Sequence, residues 1–214
     1  MSKEIFEIVK KMDMERIETQ LALQCAPVLV GLKISNLLNV SKTQEKFIQD
    51  FLVNTELSSY VLLRNMHKMV ILIYHEKMLK AYLNNKRVQK FLAEEGYGTL
   101  ELEEMLRLLS KRYRSHIEEK AEFPHEMGVF LGYPMEDVEG FIENHGENFL
   151  CLGYWKVYQN QQKKMDLFQK YERAKEWMIL LITNGIELPE AVDLLKDSQL
   201  YYCSYDCFYR RVNR

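Results

Sequence analysis

Met69-Val70-Ile71-Leu72-Ile73-Tyr74 is apolar at every position, with no polar side chain to turn toward water. A strand of that kind needs cover on both faces, so the run predicts a central strand and a fold with packing partners on either side of it. Two further segments read as strands. Val28-Leu29-Val30-Gly31-Leu32 is short, apolar and partly β-branched, and follows a Pro27 that is expected to close the preceding helix. The stretch 149–158 is rich in aromatic and branched residues, with Gly153 marking a bulge or a close approach.

Helical spacing fills most of the remainder. Ile5, Ile8, Val9, Met12, Ile17 and Leu21 predict one amphipathic helix over residues 3–24, and Ser41 with Gln44 forms a capping box before the Phe47/Ile48/Phe51/Leu52 stripe. Two short helices are expected after the central strand, broken at Asn84-Asn85 and stopped at Gly96. A longer one carries Leu102, Met105, Leu106, Leu109 and Tyr113 behind Thr99 as N-cap. Residues 161–184 and a segment begun by Pro189 complete the set, with Gly185 between them as a C-terminal cap. The expectation is a helix-rich α+β fold, a single domain over residues 1–197 whose small mixed β-sheet, from strands near 28–32, 68–74 and 149–158, is covered by several helices. Residues 198–214 form a Tyr/Cys-rich tail without a clear period.

A hydrophobic share of 47% supplies core enough for a chain of 214 residues. The 29 basic and 31 acidic residues form no long block of one sign, which argues against a nucleic-acid groove or a polybasic membrane patch. The longest apolar runs are about a third of the ~20 residues that span a bilayer, and the N-terminus lacks the order of a signal peptide. Four cysteines in a chain of this size predict reduced thiols and a cytoplasmic setting.

The chemistry concentrates in 123–142. Pro124 and Pro134 each suit the first position of a helix, and Glu126, Glu136 and Asp137 fall in the first turns, where negative charge is favoured. Those acids would repel a phosphate, so a cation or a neutral polar ligand fits the segment better. His125, Gly128 and Gly132 share one face if the first helix runs through them, leaving a shallow groove beside the imidazole. Two readings stand: another element of the domain packs on the glycines, or a ligand or metal occupies the groove.

On the 149–158 strand, alternation places Tyr154, Lys156 and Tyr158 on one face and Trp155 on the other. That face is either an ordinary half-buried surface or a wall in which Lys156 meets an acidic ligand group, with Tyr154 and Tyr158 beside it and Lys33 joining from another strand end. His125, Glu126, His145 and Cys151 offer nitrogen, oxygen and sulfur to zinc or iron, at a spacing that matches no established metal signature. Cys203 and Cys207, four apart in the tail, lack the second pair a structural zinc site needs, and Cys25 and Cys151 suit the core. No GxSxG elbow, Walker loop or GxGxxG occurs.

The run Phe123-Pro124-His125-Glu126-Met127-Gly128-Val129-Phe130-Leu131-Gly132-Tyr133-Pro134, the following Glu136-Asp137-Val138 and Gly140-Phe141-Ile142, and Gly153-Tyr154-Trp155-Lys156-Val157-Tyr158 together resemble the bacterial family called domain of unknown function 3793. Ala26-Pro27-Val28-Leu29-Val30-Gly31-Leu32-Lys33 and Asn36-Leu37 resemble its N-terminal block, so the likeness covers roughly residues 20 to 185. The resemblance implies a soluble bacterial protein of about this length. It carries no catalytic residues, cofactor or reaction.

Three functions follow as expectations. The first is a small-molecule or metal-binding protein whose site lies between the 124–145 unit and the strand of Lys156, contacted by His125, Glu126 and Lys156. The second is an enzyme in which His125 acts as general acid or base beside Glu126, with Lys156 stabilising charge. The third is an interaction module, such as a homodimer formed through the GxxxG face or the tail.

Overall fold

The computed structural model describes residues 1–196. Helices α1 (Lys3–Val9) and α2 (Ile17–Leu29) lead into β1 (Ser35–Ser41), followed by a short 3-10 turn and α3 (Glu45–Val53). The hairpin β2 (Leu57–Arg64) and β3 (Lys68–His75) comes next, then α4 (Glu76–Leu83), α5 (Lys86–Glu94) and α6 (Leu102–Glu119). A single turn α7 (Met127–Phe130), α8 (Met135–Glu143), the two-residue strands β4 (Cys151–Leu152) and β5 (Lys156–Val157), the long α9 (Gln161–Thr183) and α10 (Leu188–Lys196) close the described chain.

The central-strand expectation holds. The sheet order is β1-β3-β2, with β3 in the middle and buried from Met69 to His75. Its side chains alternate between two cores. Met69, Ile71 and Ile73 pack with α1, α2, α3, α9 and α10 on one face; Leu72 and Tyr74 pack with α4 to α8 on the other. A run apolar at every position is what such two-sided burial requires. All pairings among the described residues are antiparallel, where a mixed sheet was expected.

β2 carries two serines early in the strand and gave little periodic signal. It is an edge strand with a bulge between Val61 and Leu63, and the carbonyl of Leu62 accepts a 2.8 Å hydrogen bond from Ser110 Oγ of α6.

The 28–32 segment is not a strand. It is the last turn of α2 and its exit, and Pro27 lies inside the helix rather than ending it. α2 is buried nearly all round, so its apolar run shows no stripe from which to read a period. Its true stop is Gly31 at φ +77°: the N–H of Leu32 bonds Pro27 O at 2.8 Å and that of Gly31 bonds Val28 O at 2.9 Å. The expected 3–24 helix is likewise two helices, broken around Asp13, whose carboxylate accepts from Glu15 N. α6 starts at Leu102 behind a Glu101/Glu104 capping box, not at Thr99.

The 149–158 strand is also corrected. It is a tight hairpin in which Gly153 N bonds Trp155 O, and a β-carbon at Gly153 would lie 2.3 Å from the Phe168 ring. This hairpin rests on the N-terminal half of α9 through a third core of Trp155, Val157, Phe168 and Tyr171. Residues 198–214, with Cys203 and Cys207, lie outside the described residues.

Candidate functional site

The segment 123–142 is fastened at both ends by buried acids. Glu126 accepts from Arg112 Nη1 of α6 at 2.6 Å and from the Tyr97 hydroxyl at 2.9 Å. Asp137, in the first turn of α8, accepts from Trp155 Nε1 (2.8 Å) and from the backbone N–H of Tyr158 (2.9 Å) and Gln159 (3.3 Å). Buried Lys164 of α9 bonds Glu136 at 2.6 Å and lies 3.5 Å from Asp137. Burial works to raise the Glu136 carboxyl, but the Lys164 ammonium, a backbone hydrogen bond and the Arg87 charge together hold it below its ordinary range. The acids expected to occupy helix dipoles thus act mainly as long-range clamps.

Between the clamps the geometry departs from the expected continuous helix. Residues 124–126 form a turn, and α7 is four residues long. Gly132, at φ +70°, terminates it: Tyr133 N bonds Gly128 O and Gly132 N bonds Val129 O, each at 2.9 Å. A β-carbon at Gly128 would lie 3.1 Å from Val138, and one at Gly132 3.0 Å from Ile34. The protein's own side chains therefore pack against both glycines.

A cavity of about 300 Å³ does open beside it, walled by the 123–133 turn, α8 and the hairpin. Phe123, Phe141, Tyr133 and Trp155 form much of its lining, with His125 and Lys156 as the basic groups. Tyr133 and Trp155 stack at 4.7 Å between centroids and 28° between planes. The His125 ring packs against Phe123 and Phe141, and Lys156 Nζ sits over Phe141 and Phe149 while donating to Gly146 O at 2.7 Å.

Of the candidates named from sequence, His125, Gly128 and Lys156 line this cavity. The others are elsewhere. Glu126 faces Arg112, so no His125–Glu126 acid–base pair forms. Tyr154 donates to Glu172 and packs on Phe168 and Tyr171, because the hairpin turn breaks the alternation and brings Trp155 to the cavity with Lys156 instead. Tyr158 is pressed onto Gly140, where a β-carbon would lie 2.6 Å from it. Lys33 is buried, donating to Ser35 O and Asn36 Oδ1 behind Tyr133, with its Nζ 5.3 Å from that ring's centroid.

The metal candidates do not converge: Cys151 Sγ lies 3.7 Å from Met165 Sδ, and His145 takes φ +51° at the end of α8. Among the described residues, no three His, Cys, Asp or Glu side chains form a group fit to hold a metal ion. Phe123, Tyr133, Asp137, Phe141 and Leu152 are cavity residues that sequence reasoning left out. The signal for them was the density of aromatic residues on either side of the glycines.

Two larger clefts, of about 540 and 550 Å³, have mixed polar and apolar linings; Arg16 pairs with Glu18 in the first, and His125 and Glu126 both border the second, where Glu126 pairs with Arg112. No helix among the described residues is long and apolar enough to cross a membrane.

A three-stranded antiparallel sheet between two helical layers, with an aromatic cavity under a helix and a hairpin, defines a helix-rich α+β protein. The family model described as Protein of unknown function (DUF3793) matches residues 21–192, and the chain belongs to that family. No curated protein and no solved structure matches it.

Proposed function

We propose that the protein binds a small molecule in the cavity between the 123–133 turn, α8 and the hairpin. One observation carries this reading: a concavity of about 300 Å³ is lined chiefly by aromatic and aliphatic side chains, with only a few polar groups, His125 and Lys156 among them. That size and composition are those of small-molecule sites. The walls come from three separate parts of the chain, each anchored by buried hydrogen bonds, so the shape is formed before a ligand arrives. A bacterial, cytoplasmic setting belongs to the same reading, in keeping with the free thiols of Cys25 and Cys151.

The test is a thermal-shift screen of the purified protein against a small-molecule library. A ligand at a hundred times its dissociation constant stabilises by about 2.7 kcal/mol, a shift such a screen resolves. We expect hits whose effect is lost in Leu152→Trp, which fills the mouth from an exposed position, and in His125→Ala. No stabilising compound, together with an empty cavity by native mass spectrometry of protein taken from cells, would overturn the proposal.

A second reading, self-association, draws on Phe149, Leu150 and Leu152, which leave an exposed apolar rim beside the cavity. Sedimentation velocity distinguishes it. A dimer dispersed by Leu150→Asp would favour this reading over ligand binding as the role of the rim.

A further inference from the structure

We infer that the cavity takes a monoanionic organic acid with an apolar body, its carboxylate held by Lys156 and its remainder by the aromatic walls; this rests on the small-molecule reading above. The charged groups of the lining decide the sign. Asp137 is the acid in the wall, and its oxygens are fully engaged by Trp155 Nε1, Tyr158 N, Gln159 N and the Lys164 ammonium. A carboxylate has about four lone-pair positions, so none is left for a ligand cation.

Lys156 stands in the opposite condition. Its ammonium has three donors, one of which goes to Gly146 O, and no carboxylate lies within ion-pair distance among the described residues. It rests between the Phe141 and Phe149 rings, 5.6 and 5.0 Å from their centroids, in the place an aromatic cage would give a ligand cation. His125 lies against the same Phe141 ring at 5.5 Å, so both basic residues flank one aromatic side chain of the lining. Its acidic neighbour, Glu122, is a solvent-exposed partner at 3.9 Å, a pairing that a ligand carboxylate displaces at little cost.

An amine or quaternary ammonium would meet Lys156 in its own position. A dianionic phosphate would have to bury most of its oxygens against phenyl rings. A single carboxylate on an apolar frame satisfies the two spare Lys156 donors and fills the rest with carbon.

The experiment is isothermal titration calorimetry of the full chain with octanoate, 4-phenylbutyrate and 2-naphthoate, each beside its matched primary alcohol and amine. At least one acid is expected to bind tenfold or more tightly than its alcohol and amine. Lys156→Met should erase that preference, so that the acid binds no more tightly than its alcohol in the same variant. Lys156→Gln, which keeps a donor for Gly146, should give the same loss and guards against a folding defect in the first variant. An alcohol or amine that binds as tightly as its acid, or an acid preference that survives both variants, would overturn the inference while leaving the cavity a binding site. If no member of any series binds, the inference is overturned, while the cavity reading stands or falls by the thermal-shift screen and native mass spectrometry above.

Discussion

Trp155 Nε1 donates a 2.8 Å hydrogen bond to Asp137 Oδ2, joining the turn of the hairpin to the first turn of α8. The same carboxylate accepts from two backbone N–H groups of the chain leaving β5. Asp137→Ala orphans these donors at once. Each buried donor left unsatisfied costs about 1–3 kcal/mol, so we expect a loss of about 3 kcal/mol in urea unfolding, with a change in tryptophan emission as Trp155 is freed. A loss within the ~0.5 kcal/mol of ordinary surface changes would show the clamp to be dispensable.

Gly153 and Gly140 each meet an aromatic side chain where a β-carbon would go, Phe168 at 2.3 Å and Tyr158 at 2.6 Å. At Gly140 the contacted atoms are Cβ and Cγ, close to the Tyr158 backbone, so the ring cannot simply swing aside. Alanine at either site should destabilise by about 1–3 kcal/mol through overpacking, even though alanine favours the α8 helix by nearly 1 kcal/mol at Gly140. Gly128→Ala, whose nearest neighbour is 3.1 Å away, should cost less than either. Melting temperatures of the three variants give the ranking, and a Gly128 variant worse than the other two would contradict it.

Lys33 is buried with no carboxylate partner among the described residues, and burial lowers its pKa to about 7, with nearby Cys25 raising it slightly. In the unfolded chain a lysine keeps its proton to about 10.4. Between those values the unfolded state binds more protons, so stability rises with pH. Burial pushes the Cys25 thiol up to about 12, whereas an unfolded thiol ionises near ~8.5, and this cancels the slope above that pH. The clean window is therefore pH 7 to about 8.5, where we expect a gain of roughly 1–1.5 kcal/mol from urea midpoints. Lys33→Met should flatten it; a slope unchanged in that variant would assign the effect elsewhere.

What could be read from the amino acids depended on whether a segment is covered on one side or two. Helices with one wet face, such as α5 and α6, showed their stripes, and β3 announced itself by the uncharged apolar run from Met69 to Tyr74. α2 did not, because burial all round erases the periodicity that separates a helix from a strand, and Pro27 then suggested an ending where the helix continues. β2 was missed because its serines and its bulge break the alternation on which a strand is recognised.

Which side chains gather around the cavity was legible only in part. His125, Gly128 and Lys156 do share a cavity wall, whereas Glu126, nearest to His125 in sequence, is drawn away by Arg112, which lies on a helix fourteen residues earlier. Trp155 reached the wall because three residues of turn replaced a continuous strand. Partners that distant, and a turn that reverses alternation, leave no local mark in the chain.

The hydrogen bond from Ser110 to the bulged carbonyl of Leu62 has a consequence for the protein's behaviour in company. A three-stranded sheet has two edges for one centre, and every edge is a row of unpaired donors and acceptors on which a foreign strand can assemble. The bulge interrupts that row in β2, and α6 occupies one of its free acceptors. Of the two edges, β2 is thereby made a poor template, and the apolar strand beside it stays shielded from chains with which it would otherwise aggregate.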